Sequence, residues 1–506
     1  MGLTITSRPD RAHPDNTSLI SRWVSSRQPI FFDAFRTDML AYSFNDNGGK
    51  LRLIISRSIP ESTELAVDDI LYVKSYDGSY NTTGKVTAIS STALYLSVDT
   101  DIDSVPSMAF VTGYINRLSR ENYYVNVVVN LWNEATQQYI TSSFRWTPSN
   151  DGTGRIYVHA YVNRLIKKLN DFDYSGTNKK DIYSSTHFYL SFTEMWNGNT
   201  PTTYNDGGAT PIKYYVIDGT KYHLSKYGQN FLDYVPQIES VATKAKFLSS
   251  FKRPTMFFGY PFSLGFIYPK ELENFDVTQQ LSKYGDEGLI GTVNADIDYA
   301  QAGFVNHLTI SDILTGDPNR LEVWLRVGDI AQRSYFEGGM IEDGYFEKVP
   351  PSIGEISPFD VTEKITIDIV DDCHFEEEPI YVRWRNSLGY WDYWLFGNKR
   401  FNETQSKSLG TFGKEADEIE TSQGSEFTQQ MNVGSRYYLV DYVTKEKYQG
   451  IMSIYSSSKI EVMVSKNDNL WINAQIVGKT ERYRNDAGMV DVSIAIDLPD
   501  LITVPN

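Results

Sequence analysis

The sequence predicts a mainly β, multidomain chain: small antiparallel β-sandwich or barrel units, a few short helices and a C-terminal α+β module. Three observations predict it. Aromatic residues make up 14% of the 506 residues, with 35 Tyr, and Ile, Val and Thr are frequent, a mixture that suits pleated sheet better than helix. Runs of apolar alternation at period two recur from residue 29 onward, separated by short Gly- and Asx-rich gaps. Residues 379–396, PIYVRWRNSLGYWDYWLF, read as a β-hairpin and form the densest aromatic cluster in the chain. At roughly 100–200 residues per domain, the length corresponds to about three or four units.

Charge and cysteine content narrow the function classes. Lys and Arg total 47 against 64 Asp and Glu, and the resulting net charge of −17 opposes broad nucleic-acid binding, whose affinity comes largely from phosphate neutralisation. The single cysteine, Cys373, allows no internal disulfide and no Cys-based zinc cluster, so packing and strand pairing must hold the fold, and a reducing assembly compartment is implied. No run approaches the ~18 consecutive apolar residues of a membrane span. The start, MGLTITSRPDRAHPD, lacks the apolar core of a secretion signal. Gly2 and Thr6 match the myristoylation pattern, but the pattern is short enough for a chance match to be the better reading.

Taken in order, residues 1–28 read as a polar arm that orders only against a neighbour. Residues 29–118 form a β domain. Its runs PIFFDAF, LRLIISRSI, DDILYVKS and KVTAISSTALYLSVDT alternate at period two with tight turns, as in an SH3-like barrel or a sandwich edge. Residues 119–250 form a second unit, in which YYVNVVVNLW pairs with YITSSFRW and HFYLSFTEMW with PIKYYVIDG. Within it, RIYVHAYVNRLIKKLN places Val162, Leu165, Ile166 and Leu169 on one helical stripe, with Arg164, Lys167 and Lys168 on a solvated opposite face. Residues 221–250 are weakly helical and read as a bridge between halves.

Residues 251–378 form another sandwich region. MFFGYPFSLGFIYP supplies short punctuated strands, followed by LIGTVNADI, NHLTISDIL, RLEVWLRVG and EKITIDIVD, with an acidic Gly- and Pro-bearing loop over 333–358. Residues 379–506 contain the hairpin and the C-terminal α+β module. In the hairpin, Ile380, Val382 and Trp384 form an apolar row opposite a cationic-aromatic row of Tyr381, Arg383 and Arg385, and Asn386–Gly389 supplies the turn. The acidic, polar residues 402–430 read as a loop. Thr444 then caps a helix that carries Tyr448, Ile451, Met452 and Tyr455, and the strands KIEVMV, LWINAQIV and VDVSIAIDLPD close the module.

The hairpin also carries a resemblance. Its strand ending Arg-Trp-x-Asn, then Leu-Gly, then Trp-Asp-Tyr and a closing Phe, together with the downstream helix and three strands, resembles a module of virion structural proteins, often tail-associated, of phages and prophages of Bacteroidota. The likeness covers about the last 140 residues and the N-terminal half only faintly. It implies a structural role, brings no catalytic residue, and places the protein in a virion assembled in the bacterial cytoplasm.

DDCHFEEE at 371–378 gathers Cys373, His374 and acids, but adjacent strand residues point to opposite faces, so an acidic surface turn is the better reading. Asp99, Asp101 and Asp103 have the spacing of calcium ligands but lack the glycine and closing glutamate of a calcium loop, which favours a solvated turn. The histidines at 13, 159, 187, 223, 307 and 374 are scattered, and no nucleophile elbow, phosphate loop or dinucleotide fingerprint occurs. Trp132, Trp146, Trp196, Trp384, Trp391 and Trp394 are candidate sugar platforms, though Trp at strand spacing is more often core.

The resulting expectation is a non-enzymatic virion component of the tail, neck or adsorption apparatus. It needs no cofactor or metal, and its partners are other copies of itself and neighbouring virion proteins, not nucleic acid or membrane. The alternative is a receptor- or glycan-binding adsorption protein that contacts the host surface, with a polysaccharide depolymerase a weaker third reading.

Overall fold

A computed structural model describes the chain except residues 1–2, 10, 13–19, 37–38, 59–63, 104, 107–110, 119, 121, 170–179, 198–202, 220–231, 237–243, 274, 276, 298–301, 311–317, 328–357, 372–378, 415–425, 479–487, 500 and 504–506. The fold is mainly β and its pairings are almost all antiparallel. Two short α-helices, His159–Ile166 and Lys445–Ile451, occur among the described residues.

A closed barrel occupies the region after residue 38. Strands Met39–Asn47, Lys50–Ser56, Ile70–Ser75, Asn81–Ser91, Tyr95–Thr100 and Val111–Arg117 close on themselves, because the first and last pair with each other and every other edge is used. Closure leaves no open edge, and alternate residues such as Leu51, Leu53, Ile55, Leu71, Val73 and Val98 fill the interior.

The barrel is inserted into a second body. Phe31–Arg36, just before it, does not join the barrel but sits between Leu3–Ser7 and Thr153–Tyr157 in a three-stranded sheet. This sheet packs on a larger one with the order Gln138–Trp146, Tyr124–Asn133, Ser185–Met195, Tyr214–Ile217 and Trp23–Ser25. Ile5, Phe32 and Ile156 meet Val127, Val129, Leu190 and Phe192 between them, together with Val162, Leu165 and Ile166 from the helix. The helix therefore uses the apolar stripe read from the sequence.

Two expectations change here. Part of the expected arm is built into the chain's own sheets: Leu3–Ser7 pairs with Phe31–Arg36, and Trp23–Ser25 pairs in parallel with Tyr214–Ile217. The reason is that Ile5, Trp23 and Val24 supply the apolar contacts the polar composition obscured. The boundary at residue 29 thus cuts through a sheet.

The C-terminal half shares one core. Strands Thr255–Phe257, Ile365–Val370, Arg320–Val327, Val277–Gly285 and Gly288–Asp296 form one sheet, and Ser263–Tyr268, Phe304–Thr309 and Lys180–Asp181 form another. An eight-stranded sheet runs from Trp391–Phe396 through Ile380–Arg385, Ile460–Ser465, Leu470–Ile476, Met489–Asp497 and Glu426–Thr444 to Asn398–Lys414, with Leu501–Thr503 alongside. Their buried side chains form one continuous cluster that reaches Trp23, Tyr215 and Ile217 of the preceding body, so the boundaries at 250 and 378 do not separate independent cores.

Three further expectations are corrected. The segment 402–430 is mostly two long paired strands, Asn398–Lys414 and Glu426–Thr444, with only 415–425 outside the described residues. Its polar composition reads as a loop, whereas a two-stranded ribbon pairs through its backbone and needs no apolar alternation. Second, residues 244–250 of the expected helical bridge are irregular rather than helical and bury Phe247 and Leu248, with one short helical turn at Leu232–Tyr234 among the described residues; 221–231 and 237–243 lie outside them. Third, the hairpin buries both faces: Arg383 is as enclosed as Val382. The 333–357 part of the expected acidic loop lies outside the described residues.

Candidate functional site

The residues singled out for chemistry do not converge. Asp99 receives Arg52 (Nη2 to Oδ2 2.9 Å), and that hydrogen bond holds its carboxyl below the usual range. Asp101 accepts the backbone N–H of Lys85 at 2.6 Å, and Asp103 pairs with Lys50. The three carboxylates thus serve three different cations or donors. Asp371 is exposed, while Cys373 and His374 lie outside the described residues. No group of three His, Cys, Asp or Glu side chains among the described residues is arranged to hold a metal.

Trp384, Trp391 and Trp394 are core residues that fix the hairpin. Phe251 stacks on Trp394 with ring centroids 5.9 Å apart, and Trp384 Nε1 donates to Ser453 Oγ at 2.7 Å. Asn386 closes the turn, because its Oδ1 accepts the N–H groups of Leu388 (3.0 Å) and Tyr390 (3.1 Å). Gly389, at φ +87°, is where the turn needs a left-handed residue, and a β-carbon there would also press on Asp218.

Charged groups at the hairpin base are tied down. Asp218 meets Ser26 Oγ (3.0 Å), Arg27 Nε (3.1 Å) and Arg385 Nη1 (3.5 Å), which joins three distant parts of the chain. Burial alone would raise this carboxyl, but Arg385 and Arg27 outweigh burial and hold it below its usual value. Asp392 is fully buried under Ser249 Oγ (3.0 Å) and the Ser250 N–H (3.1 Å), and burial pushes it up to about 6. Next to it, Tyr390 meets Ser263 Oγ at 2.8 Å and His307 Nδ1, and burial keeps the His307 imidazole below its ordinary value. The space between Ser249, Phe262, Gly265, Tyr390 and Asp392 is about 10 Å³, room for about one water and for no substrate. This network is an internal brace.

The features able to meet another molecule lie at two edges. The first is the ribbon. Asn398–Lys414 is 17 residues long and ends its sheet, so among the described residues it has a neighbour on one side only. At ~3.3 Å per residue that edge runs about 55 Å, well beyond the ~17–20 Å of an ordinary strand. Beyond Met431, the pairs from Gly410↔Gln430 to Lys414↔Glu426 have no third strand beside them among the described residues. Register shifts at Lys399/Phe401 and Ser408/Gly410 mark bulges. The strand carries Lys399, Arg400, Lys407 and Lys414 against one carboxylate, Glu403, in a chain that is otherwise strongly acidic.

Neither a family model nor a curated protein matches this chain.

The second edge is the outer face of Gln138–Trp146 and its neighbours. Trp132 stands opposite Tyr139 in the register and stacks on His187 (5.9 Å, 19°). Thr141, Ser143 and Arg145 follow Tyr139 on the same exposed side. Of the named tryptophans, Trp132, Trp146 and Trp196 are only partly buried. Sequence reasoning found Trp132 but missed Tyr139, whose role depends on which strands flank it. The ribbon was missed as well, although its uninterrupted run without Pro from 398 to 414 was a legible signal.

Proposed function

We propose that the chain is a structural subunit of a phage particle, of the tail, neck or adsorption apparatus, that works by joining copies of itself and neighbouring proteins. One observation carries the assembly reading: the 17-residue edge Asn398–Lys414 with no strand on its outer side among the described residues. A long edge is a template for pairing with another chain, and natural proteins normally shorten, cover or close such edges. The barrel in this same chain closes all of its edges, whereas this strand, at 17 residues, is the longest that ends a sheet among the described residues. Its bulges and mixed charges select against indiscriminate pairing while leaving a matched strand able to join.

The favoured partner is a second copy, since every copy carries the same unpaired edge and one edge can pair with its twin across a two-fold axis. The phage assignment itself rests on the resemblance of the 379–396 hairpin and its downstream strands. Light scattering of the purified full chain, followed by negative-stain imaging, tests the reading. A ring, rod or other symmetric assembly supports it. A monomer at all concentrations, with no assembly on particle components, removes it.

A further inference from the structure

Tyr139 is held as a platform. Its ring is nearly perpendicular to those of His187 (82°) and Tyr189 (85°) and steeply inclined to Trp132 (64°), with centroids 5.9, 5.0 and 4.9 Å away. Its hydroxyl reaches two strands over to within 3.2 Å of His187 Nε2. Three neighbouring rings and this hydroxyl contact therefore fix the ring in place, while the residue remains 36% exposed. Trp132 is fixed in turn, because its Nε1 donates to Glu134 Oε2 at 2.6 Å and Glu134 pairs with Lys180 at 2.5 Å.

The surroundings are polar and almost neutral. Thr141 and Ser143 are exposed along the same side, and Asn130, Ser191 and Asn205 are linked by hydrogen bonds of 2.9 Å in the rows behind. Glu134 and Lys180 cancel each other, and the Arg145 guanidinium lies over Tyr124 at 4.6 Å. A fixed, partly exposed aromatic ring beside the exposed hydroxyls of Thr141 and Ser143 matches one ligand chemistry. A pyranose presents an apolar C–H face to the ring and neutral hydroxyls to the polar rim, and an anionic ligand would meet the field of a chain with net charge −17.

We propose that this face is a saccharide-binding site, with one neutral pyranose seated on Tyr139 and its hydroxyls directed at Thr141 and Ser143. The ordering cost is low, because Tyr139 is already fixed before a ligand arrives. The inference goes beyond the assembly reading and does not depend on the ribbon, so either can fail without the other.

Affinity electrophoresis in native gels containing a soluble β-glucan, a galactomannan or a starch tests it, with dextran sulfate as the anionic comparison. The native chain is expected to be retarded by at least one neutral polysaccharide. Tyr139→Ala should weaken that retardation at least tenfold, Tyr139→Phe should keep most of it, and Thr141→Trp, which fills the adjacent surface, should abolish it while the chain still melts at the native temperature. Retardation by none of the neutral polymers, retardation by dextran sulfate alone, or equal retardation of the native chain, Tyr139→Ala and Thr141→Trp would overturn the proposal.

Discussion

Arg383 and Glu461 form an ion pair inside the C-terminal sheet, with Nε 2.6 Å from Oε2 and side chains only 3% and 9% exposed. The guanidinium lies between the Trp391 and Trp471 rings, 4.7 and 4.1 Å from their centroids, and Lys459 Nζ adds a contact to Glu461 at 3.2 Å. The pair joins Ile380–Arg385 to Ile460–Ser465 at a register position, Arg383↔Glu461, that an apolar pair would occupy in an ordinary core.

Removing one partner strands the other charge in a desolvated site. Arg383→Met should cost about 3–5 kcal/mol in urea denaturation. The double change Arg383→Met with Glu461→Leu should cost clearly less than Arg383→Met alone, because no uncompensated charge remains. Equal losses in both would show that the pair's electrostatics matter little beside its packing.

A second prediction concerns close approach. Gly265 lies against the ring of Tyr390, so a β-carbon at 265 would run into that ring. Tyr390 is held by Ser263 and His307 and has little room to yield. Gly265→Ala should therefore destabilise the chain by about 2–3 kcal/mol through overpacking. Gly291→Ala, where nothing stands within 4 Å of the new carbon, should change stability by less than about 0.5 kcal/mol. Thermal melting of the two variants beside the native chain makes the comparison.

Asp392 gives a pH dependence with a definite sign. Its folded carboxyl is raised from 3.8 to about 6, so between those pH values the unfolded chain loses the proton and the folded chain keeps it. This group's contribution to stability is therefore greatest below pH 4, falls as pH rises toward 6, and is constant above. A shift of about two units corresponds to about 3 kcal/mol. Relative to the native chain, Asp392→Asn should gain up to about that much between pH 4 and pH 7, measured by urea titration across that range. A difference that stays flat with pH would contradict the account.

How much of this was legible in sequence depended on whether the signal was local. The Tyr381–Arg383–Arg385 alternation and the Asn386–Gly389 turn identified the hairpin, and Val162, Leu165 and Ile166 identified the helix, because each depends on neighbours a few residues away. Burial of Arg383 was not legible, since it requires Glu461 from a strand 78 residues on. The same holds for Trp23–Ser25, whose parallel partner is Tyr214–Ile217. The Tyr139 platform needs His187 and Tyr189 from the second strand over, a relation that no local pattern records. Polar content hid the ribbon, because strand pairing through the backbone leaves no apolar period to read.

The central claim, assembly through the ribbon, is tested most directly by the solution mass of two chains measured side by side. One is the native 57.7 kDa chain. In the other, residues 411–429 are replaced by Asn-Gly, a turn that joins Gly410 to its partner Gln430 and keeps the pairs of Met431–Val433 with Leu501–Thr503, and Thr404, Ser406 and Ser408 on the remaining edge are changed to Lys, which opposes pairing with another strand. The account predicts a defined multimer for the native chain and a smaller species or monomer for the shortened one, with unchanged melting of the folded body. The same mass per particle for both, whether monomer or multimer, would contradict it.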